Sequence, residues 1–86
     1  MTPRLSKHAE SEIVRRQIPR AWVDSVLDEP EQRYAAPDGT DILQSRFLSE
    51  NGRMYLLRAV LAVDKDPPVV ITVYRTSKIA KYWRPA

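Results

Sequence analysis

The sequence predicts one α+β domain, with two N-terminal helices packed on one face of a four-stranded antiparallel β-meander. Three observations lead there. Apolar residues up to Leu27 recur at helical spacing. After Pro30 the period changes to the two-residue alternation of strands. Three turn signals, Pro37-Asp38-Gly39, Glu50-Asn51-Gly52 and Asp64-Lys65-Asp66-Pro67, then cut the remainder into segments joined too closely for anything but antiparallel neighbours. A chain of 86 residues has room for a single domain, residues 1–86, with a modest core.

Each element has its own signal. Ser6 is the expected N-cap of a helix over residues 7–16, and Leu5, Ala9 and Ile13 share its inner face. Pro19 opens a second helix, where its missing N–H costs nothing. Trp22, Val23, Val26 and Leu27 form the core-facing stripe of that helix, and Pro30 stops it. Strands are expected over residues 31–36, 41–49, 53–63 and 69–76. The Asn51-Gly52 pair marks the hairpin between the second and third. The last is dense in β-branched residues and reads as a central strand. Residues 79–83 suit a single helical turn.

Alternation sorts the strands into two faces. Leu43, Phe47, Tyr55, Leu57, Leu61, Val69, Ile71 and Val73 form the set expected beneath the helices, together with Trp22 and Val26. Gln44, Arg46, Arg58, Thr72, Tyr74 and Thr76 form the other. Met54, Leu56 and Val60 fall with this second set, so part of that face is expected to be covered too, by the tail or by a partner.

Composition narrows the function classes. There is no cysteine, so disulfides and thiolate metal sites are excluded, which suits a reducing, cytoplasmic setting. No stretch approaches the roughly 20 apolar residues of a membrane span. Met1-Thr2-Pro3-Arg4 has no apolar run behind it, so no secretory signal is expected. The formal net charge is +3. Acids crowd residues 24–31, whereas residues 75–84 hold Arg75, Lys78, Lys81 and Arg84 with no acid. Such a balance favours acidic partners, nucleic acid first among them. The two glycines both lie in turns, so no glycine-rich phosphate loop exists, and no histidine pair marks a zinc helix.

Several residues have both a chemical and a structural reading. His8 is the sole histidine, and a pKa of about 6.5 suits proton transfer. On a helix it lies one turn from Glu12 and near Arg15. Glu12 then either orients it for catalysis or joins it in a surface ion-pair stripe. Arg58 interrupts an apolar strand between Leu57 and Ala59, where arginine is rare unless paired or functional. Its planar fork suits a phosphate, or an ion pair with Glu12 or Asp41. Arg46 is similar on a more polar strand, where a solvated surface charge is the alternative. Arg16 suits a stem lying along the core edge. Tyr82 and Trp83, beside Lys81 and Arg84, either stack on bases or dock on the domain.

Three stretches carry a resemblance. They are Leu5-Ser6-Lys7-His8-Ala9 with Arg16 and Ile18 downstream, Leu57-Arg58-Ala59-Val60-Leu61, and Val70-Ile71-Thr72-Val73-Tyr74-Arg75-Thr76-Ser77. Together they resemble a family of small bacterial domains of unknown function that is similar to RelE-type toxins and, more distantly, to barnase-like ribonucleases. The resemblance spans residues 5–82. It implies a toxin-like fold paired with a small antitoxin protein, and metal-independent cleavage of RNA without a cofactor. It implies His8 as proton shuttle, with Arg58, Tyr74 and Thr76 also carried over. Members often have a basic residue where this chain has Glu12, which departs from a phosphate clamp at that helix.

The expected site therefore has His8, Arg58 and Tyr74 as catalytic groups. Arg46, Arg75, Thr76 and Lys78 are the expected RNA-binding groups, the basic residues gathered with Arg58 in one positive patch. The rival readings are a non-catalytic module that binds nucleic acid or protein through the same face, and a toxin fold whose duty is partner pairing.

Overall fold

The computed structural model describes residues 3–85. It has the α+β architecture, with eight elements in the order β1 (Arg4–Leu5), α1 (Lys7–Arg15), α2 (Arg20–Asp28), β2 (Gln32–Ala35), β3 (Asp41–Leu48), β4 (Met54–Ala62), β5 (Val69–Thr76) and α3 (Ile79–Tyr82). The four long strands pair antiparallel in sequence order as expected. The sheet nevertheless has five strands in the order β1-β5-β4-β3-β2, and it is mixed, because β1 runs parallel to β5. The four-stranded, wholly antiparallel expectation is corrected on that point, and the two expected helices are joined by a third, α3.

β1 escapes sequence reading because two residues carry no period. It exists because Arg4 N–H donates to Pro68 O at 2.9 Å and Ser6 N–H to Val70 O at 3.0 Å. Ser6 then turns the chain into α1. Its Oγ accepts from Ala9 N–H at 3.0 Å as the N-cap and donates to Ile71 O at 2.9 Å. One hydroxyl thus caps a helix and ties it to β5.

α1 ends in a Schellman arrangement. Gln17 N–H donates to Val14 O at 3.1 Å and Ile18 N–H to Ile13 O at 2.9 Å. Gln17 adopts φ 52°, a conformation that glycine favours. The motif brings Ile18 and Ile13 together in the core.

α1 lies across β5, and α2 across β4 and β3. Their inner faces meet Leu43, Leu57, Ala59, Leu61, Val70 and Val73. Trp22, Leu27, Phe47 and Leu5 pack around that core, with Trp22 stacked on Phe47 at 4.9 Å. The expected core is wrong at one place. Ile71 is 41 % exposed and Val70 is buried. A β-bulge is the cause: Val60 faces Thr72 but Leu61 faces Val70, which leaves Ile71 as the extra residue. An inserted residue reverses the faces beyond it, so Val70 replaces Val69 and Ile71 beneath the helices.

The opposite face of the sheet is covered in part by the C-terminal tail. Leu56 and Ile42 are buried on it, outside the main core. Among the described residues, no helix is long and apolar enough to cross a membrane.

Candidate functional site

The cross-strand register builds the site. Gln44 on β3, Arg58 on β4 and Tyr74 on β5 are aligned across three strands, and Gln32 on β2 faces Gln44. All point away from the helices. Alternation on the neighbouring rungs puts Arg46, Leu56 and Thr76 on this same face.

Arg58 is the centre. It is only 8 % exposed. Its Nε–H donates to Gln44 Oε1 at 2.9 Å, one Nη1–H donates to the Tyr74 hydroxyl, and one Nη2–H donates to the Tyr34 hydroxyl. The Tyr82 ring covers the guanidinium at 4.2 Å and packs edge-on against Tyr74. Among the described residues, Arg58 makes no ion pair. The carboxylates that sequence reading offered it are engaged elsewhere. Asp41 binds Arg33 at 2.8 Å, and Glu12 binds Arg15 at 2.7 Å and Arg16 at 2.8 Å. A largely buried cation held only by neutral groups and a ring carries a desolvation cost that no local carboxylate offsets. Three of its five N–H donors are used, which leaves one on each terminal nitrogen. A guanidinium with a free donor on each terminal nitrogen is able to bind two oxygens of a phosphate.

Gln44 and Gln32 fasten the tail to this face. Gln44 Nε2 donates to Gln32 Oε1 at 2.7 Å and to Tyr82 O at 3.1 Å. Gln32 Nε2 donates to Arg84 O at 2.8 Å, and Gln32 Oε1 accepts from Arg84 N–H at 3.1 Å. The Arg84 guanidinium lies over Tyr34 at 3.9 Å, and Arg46 lies over Trp83 at 4.0 Å. The result is an alternation of arginines and rings: Arg84 on Tyr34, Arg58 under Tyr82, Arg46 on Trp83. The tail therefore docks, through side chains that would equally suit bases and phosphates.

Arg46 is also paired with Glu31, with Nη2 to Oε2 at 2.9 Å and its backbone N–H to Oε1 at 2.7 Å. These bonds, the side-chain one first, hold the Glu31 carboxyl below the ordinary carboxylate range, and the side-chain bond raises the Arg46 value in turn. Arg46 is thus no simple solvated charge.

The structure separates the other candidates. Arg75 falls on the helix-covered face, beside Ser45 and Leu57 in register, and lies 5.3 Å over Tyr55. It lines a cleft of about 460 Å³ with Gln17, Pro19, Trp22, Leu48, Ser49 and Glu50. It cannot share one patch with Arg58, because consecutive strand residues point to opposite faces. Thr76 Oγ1 accepts from Lys78 N–H at 3.1 Å, and exposed Lys78 opens α3. His8 lies on the outer side of α1 with its side chain 62 % exposed, 3.9 Å from Glu12. α1 packs against the other side of the sheet from Arg58, so His8 belongs to a surface stripe with Glu12, Arg15 and Arg16. The Glu12 carboxyl is held below its ordinary range by hydrogen bonds from Arg16, then Arg15. Arg16 makes this pair with its side chain 44 % exposed rather than simply lining the core edge. Among the described residues, no group of three His, Asp or Glu gathers to hold a metal.

Sequence reading placed Gln44 on the Arg58 face but gave it no role, and it passed over Tyr34 and Gln32. The signal was there in Gln44, an amide that follows Ile42-Leu43 on a strand flanked by tyrosine-bearing neighbours.

Residues 5–75 match the domain of unknown function DUF4258. The chain belongs to that family. No curated protein and no solved structure matches it. The matched DUF4258 segment contains Tyr34, Gln44, Arg58 and Tyr74, and it stops before α3. The residues that cover Arg58 thus lie beyond the matched part of the domain.

Proposed function

We propose that this domain acts on RNA through the tail-bearing face of its sheet, as a metal-independent ribonuclease of the RelE-like toxin type. The observation that carries this reading is Arg58, buried without a carboxylate partner among the described residues and with two unused donors. An anion supplied by a ligand would offset its desolvation, and a phosphodiester presents two oxygens at the spacing of the fork. Arg46 and the Tyr34 ring, on the sheet to either side of Arg58, suit a phosphate and a base of a single strand.

In this reading the RNA 2′-hydroxyl attacks the adjacent phosphorus and loses its proton to solvent water. The P–O5′ bond breaks, the 5′-oxygen leaves as a hydroxyl with a proton from a tyrosine of the site that solvent then restores, and a 2′,3′-cyclic phosphate remains. Arg58 stabilises the charge that grows on the non-bridging oxygens. The Tyr74 and Tyr34 hydroxyls, both bonded to the guanidinium, are the proton-bearing groups nearest to that phosphate. His8 takes no part in the step, since it lies on the far side of the sheet. A small antitoxin protein and a cytoplasmic setting belong to the same proposal. The test is incubation with RNA in EDTA, wild type beside Arg58→Ala, with product ends identified. Cyclic phosphate ends from the wild type alone support it. Cleavage only with Mg²⁺, or equal cleavage of DNA, overturns it.

The placement of His8 also favours a second reading, a module that binds RNA without cutting it. Salt-sensitive binding with intact RNA after prolonged incubation identifies that case.

A further inference from the structure

The tail that covers Arg58 has unusual attachments. α3 has only four residues, none of them buried, and no side-chain cap. What holds residues 82–84 is ring-on-guanidinium stacking at three points and hydrogen bonds between two glutamines and main-chain atoms, two donated by the glutamines and one accepted by Gln32. Each contact has a counterpart in a single-stranded nucleic acid. A base can take the place of Tyr82 over Arg58 or of Trp83 under Arg46, and phosphate and sugar oxygens can take the place of the main-chain carbonyls that Gln44 and Gln32 bind.

We propose that residues 79–84 are an intramolecular occupant of the RNA-binding face, which a single strand must displace to reach Arg58. This rests on the RNA reading of the site. Tyr82 covers one face of the guanidinium, and the Tyr82 and Arg84 carbonyls take the amide donors that flank it. While the tail is seated, Arg58 keeps two donors but one face of its guanidinium plane is covered by Tyr82. Displacement exposes the Tyr34, Tyr74 and Arg46 surfaces together with the fork. The apparent affinity of the intact chain is then the intrinsic affinity reduced by the fraction of molecules with the tail released. None of the four α3 residues is fully buried, so release breaks the stacking on Arg58 and the hydrogen bonds to Gln44 and Gln32 without withdrawing a side chain from the helix-covered core.

The test uses the full-length chain and a non-cleavable 2′-O-methyl oligouridylate of about ten nucleotides, within the usual range of single-strand site sizes. The Tyr82→Ala/Trp83→Ala variant is expected to bind it more tightly than wild type, on the order of tenfold. In a Trp22→Phe protein, Trp83 is the sole tryptophan, and its emission is expected to shift to the red and become more quenchable on binding. Unchanged or weaker binding by the double variant overturns the inference, as does a Trp83 that becomes more protected, because the tail rings are then part of the binding platform. If neither wild type nor double variant binds at low salt, the RNA reading of the site falls, and this inference with it.

Discussion

Gln44 accepts the Nε–H of Arg58 at 2.9 Å while its own amide nitrogen reaches Gln32 and the Tyr82 carbonyl, so one fully buried carboxamide orients the central guanidinium and anchors the tail. Gln44→Leu keeps the volume but leaves the Arg58 Nε–H and the Tyr82 carbonyl without partners. The expected cost is about 2–6 kcal/mol, since each of the two groups left unsatisfied costs about 1–3 kcal/mol. Urea unfolding is the measurement, with an unchanged slope showing that the change lies in stability. A loss below about 0.5 kcal/mol would show that the network contributes little.

Arg58 and His8 should respond differently in the RNA assay. Arg58→Ala is expected to lower cleavage by a factor on the order of 10² or more, as for a preorganised oxyanion donor. Arg58→Lys should not restore it, because a compact ammonium cannot reproduce the fork. His8→Ala should leave the rate unchanged, given its place on the exposed outer side of α1. Both Arg58 variants need a circular dichroism check of folding. Loss of activity in a folded His8→Ala protein would mean that His8 reaches the RNA after all.

Gln17 sets a simpler test. It has φ 52° in the turn between Ile13 and Ile18, a region in which side chains cost about 1–2 kcal/mol. Gln17→Gly removes that strain and adds some unfolded-state entropy. The net gain is expected to be about 0.5–1 kcal/mol, read as a raised melting temperature. A fall in melting temperature would mean that the Gln17 side chain makes a contact worth more than the strain.

Acid should destabilise the fold through its paired carboxylates. Glu12 and Glu31 have folded values below the ordinary glutamate value of 4.5. The unfolded chain therefore binds more protons than the native one once the pH drops below that value, and stability falls with pH through the folded values. Above about pH 5 these two groups should contribute a constant amount. Melting curves across the acid range should show that plateau and decline. Glu12→Gln and Glu31→Gln should each make the decline shallower, and a decline of unchanged steepness in both variants would assign the acid effect to other groups.

Most of the fold is legible in local patterns. The α1 start at Ser6, the α2 start after Pro19, the hairpin at Asn51-Gly52 and the limits of β5 all follow from caps, turn residues and period, and these signals act over a few residues. The site is legible as a face, because alternation places Gln44, Arg46, Arg58 and Tyr74 together. It is not legible as a set of contacts. The resemblance implied a catalytic His8, whereas its residue type and helix left a surface ion-pair stripe equally open, and which side of the sheet that helix covers is a matter of packing.

By itself the sequence determined the α+β class, the antiparallel order of the four long strands, the absence of thiol chemistry and the prominence of Arg58 within an apolar strand. Tertiary structure alone decided the rest. β1 depends on main-chain bonds from Arg4 to Pro68 and from Ser6 to Val70, which no short-range period can signal. The bulge at Ile71 depends on how β5 registers against Leu61, and it moved Val70 into the core. The covering of Arg58 depends on Tyr82, 24 positions along the chain but stacked on it in space. Local signals set which elements form. Pairing register and side-chain contact between distant segments set which residues meet, because those choices are made by geometry across the sheet rather than along the chain.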